Sequence, residues 1–303
     1  MSDTTASLRR KIGSAGDLQS VVRTMKALAA SSIGQYEQSV RALGDYYRTV
    51  ELGLGACFRK STPATAPAHR KEQADAGSIA AVVFGSDQGL VGQFNDRVAD
   101  FAVETLAALP GQPHVWAVGE RVHARMDDAA LSLPGLFTVP NSVRAITPLV
   151  GQILVEHETH RDRRESTELH LFYNRPKSGS VYAPVHQRLL PLDHAWQHKL
   201  AELPWPSENL PEVLGDRTAT LRALIREYLF VSLFRACAES LASENASRLA
   251  AMERADRNID ELLADLNSSF HRLRQSGIDA ELFDVIAGFE ALSGESNPVS
   301  PRQ

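Results

Sequence analysis

Both ends of this chain carry long apolar stripes at helical spacing, and the middle does not. From Leu8 the stripe runs through Ile12, Ala15, Leu18, Val22, Met25, Ala29, Ile33, Tyr36, Val40, Leu43, Tyr47 and Val50 to Leu54, in steps of three or four residues. A second stripe runs from Leu221 through Tyr228, Val231, Arg235, Ala238, Leu241, Asn245, Leu249, Met252, Asp256, Ile259, Leu263, Leu266 and Phe270 to Leu273. A repeat held near 3.5 residues is the signature of helices wound around a partner. A lone helix would leave its stripe in water, whereas each buried Leu, Ile or Phe contributes about 1.5–3 kcal/mol. The two stripes are therefore expected to pair, antiparallel, as a shaft that carries the middle of the chain as a head.

The class of protein is bounded by composition. With 43% hydrophobic and 23% charged residues, the chain reads as an ordinary folded protein. A net charge of −5 is too mild to imply nucleic acid or an anionic membrane surface. No apolar run approaches the roughly 20 residues that span a bilayer. The start, MSDTTASLRRKIGSAG, lacks the apolar core of a signal peptide, so export is not expected. Cys57 and Cys237 are far from any CxxC spacing and fit a reducing cytosol.

The pattern divides the chain at 1–58, a helix; 59–77, a Pro/Ala/Thr-rich linker; 78–208, an α/β head; and 209–303, a second helix with its tail. Gly53 and Gly55 are expected to end the first helix, because each costs about 1 kcal/mol relative to Ala. In the head, strands are expected at Ser78–Phe84, Val115–Val118, Phe137–Val139, Glu168–Tyr173 and Val181–Leu190. Helices are expected at Asn95–Leu109, Arg121–Ala130 and Ala145–His160. That alternation favours a mainly parallel, Rossmann-like sheet with helices on its faces. The last helix is expected from near Asp216 to about Ser276, then a separate segment at Ala280–Leu292.

Outer helix positions carry Glu244/Arg248 and Glu253/Arg257, i,i+4 pairs of the favoured polarity that read as solvated faces. The first helix has a basic face at Arg9, Arg10, Lys11 and Arg23, with Lys26 beyond it. Such a face suits an acidic protein partner, since charge attraction tolerates sliding. In the head, GSDQGLVGQ sits between a strand and a helix, where phosphate loops occur, but it lacks the Gly-Lys-Ser/Thr ending and any GxGxxG. Ser86 is not in a Gly-x-Ser-x-Gly elbow. His157 and His160 are not HExxH, and His194 and His198 lack a third ligand nearby. No catalytic residue, metal or cofactor is expected. Two readings compete with a mechanical one: an enzyme built on the head, and a coiled-coil adaptor.

Three motifs carry a resemblance. LRRKIGSAGDLQSVVRTMKALAAS, Leu8–Ser31, resembles the N-terminal signature of the gamma subunit of F-type ATP synthases. The family's Ser-Glu-x-Ala-x-Arg-x-x-Ala-Met run is similar to Ser243–Met252, and its Arg-Gln-x-x-Ile-x-x-Glu-Leu run to Arg274–Leu282. GSDQGLVGQFN, Gly85–Asn95, looks like the family's Ser-Asp-Arg-Gly-Leu-Cys-Gly-x-Phe-Asn. Gln88 and Val91 replace the Arg and Cys of that loop, Ser32-Ile33 replace Lys-Met, and Asp279 replaces Thr. These departures suggest a divergent branch, such as an alternative bacterial F-type ATPase.

The resemblance implies a central-stalk rotor subunit with no catalytic residue of its own. Its helix pair would sit in the bore of a hexamer of alpha and beta subunits, and its head against the epsilon subunit and the membrane c-ring. One copy per complex is implied, at the cytoplasmic face of the bacterial inner membrane, with no nucleic acid. Met25, Lys26, Arg274 and Gln275 match positions that the family sets against catch loops of beta. Leu282, Val285 and Ile286 would form an apolar bearing at the shaft tip. Ring contacts near Tyr46, Tyr47 or Leu203–Trp205 complete the expectation.

Overall fold

A computed structural model describes residues 4–59, 78–164, 168–177, 180–209, 211–212 and 215–294. The element order is α1 (Thr5–Arg59), β1 (Ser78–Phe84), α2 (Phe94–Ala107), β2 (Gln112–Val118), α3 (Glu120–Asp127), β3 (Ser132–Phe137), α4 (Val143–Arg164), β4 (Glu168–Lys177), β5 (Ser180–Leu190), α5 (His194–Glu202) and α6 (Arg217–Gly294). The linker expected at 59–77 lies outside the described residues, apart from Arg59, which closes α1. The chain divides into two compact units, Leu28–Ala251 and Met1–Ala27 with Met252–Gln303.

In Leu28–Ala251 five strands form one sheet in the order β3-β2-β1-β4-β5. β1 runs parallel to β2 and β4, β2 parallel to β3, and only β5 is antiparallel, on β4. Alternation along β1 explains why every residue after Ser78 is apolar. Ala80, Val82 and Phe84 join a core with Trp116, Leu171, Tyr173 and α4 and α6 residues such as Ile146, Val150 and Leu233. Ile79, Ala81 and Val83 join Val98, Ala102 and Leu106 of α2 and Val122 and Met126 of α3 on the other face. A sheet covered on both faces needs continuous apolar strands. The strand expected at Phe137–Val139 is instead Ser132–Phe137. Its alternating half-exposed edge pattern and internal Pro134 hide it from a search for buried runs.

Both long helices exceed their expected bounds. α1 continues through Gly53 and Gly55 to Arg59, because these glycines allow close packing and do not terminate the helix. A Cβ at Gly55 would stand 2.3 Å from the carbonyl oxygen of Leu200 on α5. α6 shows no break at Ser276, since Gly277 keeps its backbone N–H and costs only about 1 kcal/mol. Within this unit α1 and α6 run antiparallel: Tyr47 stacks near Tyr228 at 6.2 Å, Tyr46 donates to Glu227 at 2.6 Å, and Arg217 donates to the Cys57 carbonyl. From Tyr228 to Glu244, α6 is buried apart from half-buried Phe230 and exposed Arg235; Arg235, which the apolar stripe places in the seam, reaches outward to Glu239 at 2.8 Å.

Candidate functional site

The terminal unit is built by two helix segments that pair antiparallel. Buried residues of α1 recur every seven positions, at Leu8, Ala15 and Val22. Met252 and Ile259 are buried opposite, and Leu263, Leu266 and Phe270 are half-buried. The heptad places Gln19, not Leu18, in the seam, and Leu18 is 54% exposed. An apolar stripe drawn from the sequence takes the leucine, but a strict period of seven from Leu8 and Ile12 takes the glutamine.

Polar groups fill this part of the seam. Gln19 Nε2 donates to Asp260 at 2.5 Å and lies 3.4 Å from Asp256. Arg23 Nε donates to Asp256 at 3.2 Å, and Lys26 Nζ stands 3.7 Å from the same carboxylate. Arg23 and Lys26, expected to face a partner, are thus engaged within the chain. A polar seam position fixes register at some cost in stability. Replacing Asp256 by Ala is expected to lower the stability of this pairing by about 0.5–1 kcal/mol at low ionic strength. The loss should shrink in high salt, which screens exposed pairs. Urea unfolding at two salt concentrations checks both statements.

A second cluster lies at the start of α1. Arg9, Arg10 and Arg274 line one open groove of about 660 Å³ with Thr5, Ala6 and Phe270. Among the described residues, none of these three guanidinium groups has an acidic partner. The first turn of α1 holds no acidic residue, so the positive end of the helix dipole adds to their charge. The sequence-identified Arg9, Arg10 and Arg274 are thereby brought together. Lys11 and Gln275 are exposed close by in sequence, and Met25 is half-buried.

Beyond Phe270 every described side chain of α6 through Glu290 is exposed. Leu282, Val285 and Ile286 are 57%, 70% and 45% exposed. Ile278, Phe283 and Phe289, which the sequence reading passed over, extend this apolar surface. Ile278 and Phe289 share one helical face with Leu282, Val285 and Ile286, which a wider search along α6 would have found.

The other motifs meet in the larger unit. Asn95 accepts from the Ser86 amide at 2.9 Å, and Asp87 accepts from the amides of Glu120 at 3.0 Å and Val139 at 2.9 Å. The Gly85–Asn95 loop therefore ties β1, α3 and the end of β3 together, and its polar atoms are consumed in doing so. Ser243 donates to the Asn174 carbonyl at 3.0 Å, and Ser247 to that of Val91 at 2.5 Å, fastening α6 to β4 and the loop. Glu244 and Arg248 are not on a solvated face as expected. Their side chains are 7% and 13% exposed and pair at 2.6 Å. Burial first, then Asp87, raises the Glu244 carboxyl above the usual range, against Arg248. Leu90 at the loop tip holds φ 63° yet is 63% exposed, a strained apolar side chain given to solvent. His194 and His198 lie on α5, and the described residues hold no cluster able to bind a metal. Among the described residues, no helix is long and apolar enough to cross a membrane.

Comparison with known proteins agrees with this architecture. A family model described as ATP synthase matches residues 4–292. The ATP synthase gamma chain of Moorella thermoacetica is 28% identical over 94% of this chain and 98% of its own length. That of Syntrophus aciditrophicus is also 28% identical, covering 94% and 97%. In a mitochondrial ATP synthase structure from Euglena gracilis, containing OSCP, F1 and c-ring, one chain superposes with a TM-score of 0.66. It is 16% identical and covers 99% of this chain and 98% of that one. The strand order, the two long helices and a family match across nearly the whole length converge, and the chain belongs to the ATP synthase gamma-subunit family.

Proposed function

We propose that the terminal helix pair is the working end of a rotor: it engages the catalytic alpha and beta subunits and couples their nucleotide sites to ion flow through a membrane ring. The chain is a non-catalytic central-stalk subunit of a rotary F-type ATP synthase. The observation that carries the proposal is the run of exposed apolar side chains on α6, Ile278, Leu282, Val285, Ile286 and Phe289. Exposed apolar surface of this kind marks a binding face. A hydrophobic collar would receive it without forming directed bonds, which suits a turning contact. Arg9, Arg10 and Arg274 supply a positive patch one turn and more below, matched to acidic loops of beta, with Gln275 beside them. Met25 adds an apolar contact there.

By the same reading the 78–208 head meets the epsilon subunit and the c-ring, one copy serves each complex, and the assembly sits on the cytoplasmic face of a bacterial inner membrane. An asymmetric axle acts by binding each catalytic conformation with different free energy, so that turning it shifts the three sites in sequence.

Reconstitution tests the proposal. Alpha and beta subunits purified without a stalk subunit are mixed with this chain and assayed for ATP hydrolysis. The proposal predicts a stable complex with stimulated turnover. A coiled-coil adaptor would leave turnover at its starting value. Placing Asp at both Leu282 and Ile286 is expected to weaken complex formation by about tenfold or more, as loss of buried apolar anchors does. The free chain should unfold as before, because both positions are exposed.

A further inference from the structure

The β4–β5 hairpin holds a chain of titratable groups that a rotor function does not call on. His170 is 1% exposed. Its Nε2 lies 2.7 Å from Glu168 Oε2, and its Nδ1 lies 2.7 Å from Nε2 of His186. The two ring planes are within 6° of each other, and His186 lies over Phe172 at 4.8 Å.

Two ring nitrogens at this distance share a single hydrogen, one donating and the other accepting. An ionised Glu168 accepts, so His170 Nε2 carries a hydrogen. His170 Nδ1 then accepts from His186 when both rings are neutral. One added proton, at His186 Nδ1, keeps every bond in place. A second proton, at His170 Nδ1, sets N–H against N–H and one positive charge against another.

We propose that Glu168, His170 and His186 form a pH-sensitive clasp between β4 and β5, closed while at most one imidazole is charged and opened when both are.

The surroundings favour the closed form. Arg188 of β5, another positive charge, is the register partner of His170, and β1 offers only Ala81. On α2, which covers this face through Phe101, the charged groups are directed elsewhere. Asp96 and Asp100 pair with Arg125, Arg97 lies over the Tyr182 ring, and Glu104 is exposed. Burial first, then His170 and Arg188, lowers the His186 pKa. A depressed basic group favours the neutral folded form, so its stabilisation is complete above the ordinary imidazole range. It is lost as pH falls far enough for both rings to carry a charge.

Amide hydrogen exchange of the full chain, expressed as protection factors, tests the clasp. Between about pH 7.5 and pH 5, protection of the β5 amides flanking His186 should fall by tenfold or more, beyond any change in β1. His186→Gln keeps a donor toward His170 but cannot charge, and should abolish that fall. Imidazole nitrogen NMR of the unmodified chain supplies an independent reading, in which His186 should take up its proton below the ordinary imidazole range. Constant β5 protection, an equal fall in His186→Gln, or protonation of His186 in the ordinary imidazole range would overturn the clasp.

Discussion

Alanine at both Arg274 and Gln275 is expected to lower coupled ATP synthesis by about tenfold or more, with folding stability changed by no more than about 0.5 kcal/mol. The asymmetry follows from exposure. Both side chains are exposed, and among the described residues Arg274 has no acidic partner within the chain. Their truncation therefore removes little from the isolated fold. In a complex, a guanidinium buried against a carboxylate forms charge-assisted, bidentate bonds worth more than a surface pair. Arg274 also shares its groove with Arg9 and Arg10, whose mutual repulsion an anionic partner would relieve. Synthesis by reconstituted vesicles and urea unfolding of the free chain are the paired measurements. Normal synthesis in a fully assembled complex would remove Arg274 and Gln275 from the coupling contact.

The second large effect belongs to the Leu28–Ala251 unit. Gly55→Ala is expected to destabilise the Leu28–Ala251 unit by about 3 kcal/mol, while Gly53→Ala should be close to neutral. The new Cβ at position 55 would lie 2.3 Å from the Leu200 carbonyl oxygen and 3.1 Å from its carbon, which are backbone atoms of α5. At position 53 the nearest atom is the Leu224 Cδ2 at 3.0 Å, the end of a flexible side chain. There the gain in helix propensity, about 1 kcal/mol for Gly to Ala, offsets the adjustment. α5 is further held by Arg59, which donates to the carbonyls of Ala201 and Leu203. Displacing α5 would therefore disturb the end of α1 as well. Denaturant midpoints of the two variants, compared directly, separate a packing role for Gly55 from a helix-ending role.

These glycines show where sequence reasoning reaches its limit. Propensity treats Gly53 and Gly55 as breakers, but what decides their role is a helix, α5, that the pattern did not reveal. Its nine residues, HAWQHKLAE, are too short to display a period, although Asp193 caps the first turn by accepting from Ala195 at 3.0 Å. The seam was legible in period and illegible in detail. Hydrophobicity selects Leu18, whereas the heptad and Asp256 select Gln19. Glu244 and Arg248 have the spacing of a surface pair, and what stands beside them, Asp87 of the Gly85–Asn95 loop and Tyr36 of α1, is distant in sequence. Strands β1, β2 and β4 were readable because both faces are covered and each holds a buried, mostly apolar run. β3 at the edge was not. The apolar side chains Leu282, Val285 and Ile286 were singled out by the resemblance and not by their period, and among the described residues all three stay exposed.

Rotation itself is the most direct measurement. Cys57 and Cys237 are buried, so a thiol introduced at exposed Asp128 in the head can be labelled selectively. With the chain assembled into immobilised alpha and beta subunits, a probe on that thiol is followed while ATP is supplied. The account predicts continuous rotation in one direction that stops when ATP is withdrawn. A probe that stays fixed, or that only fluctuates, while the same complexes hydrolyse ATP at full rate would contradict it.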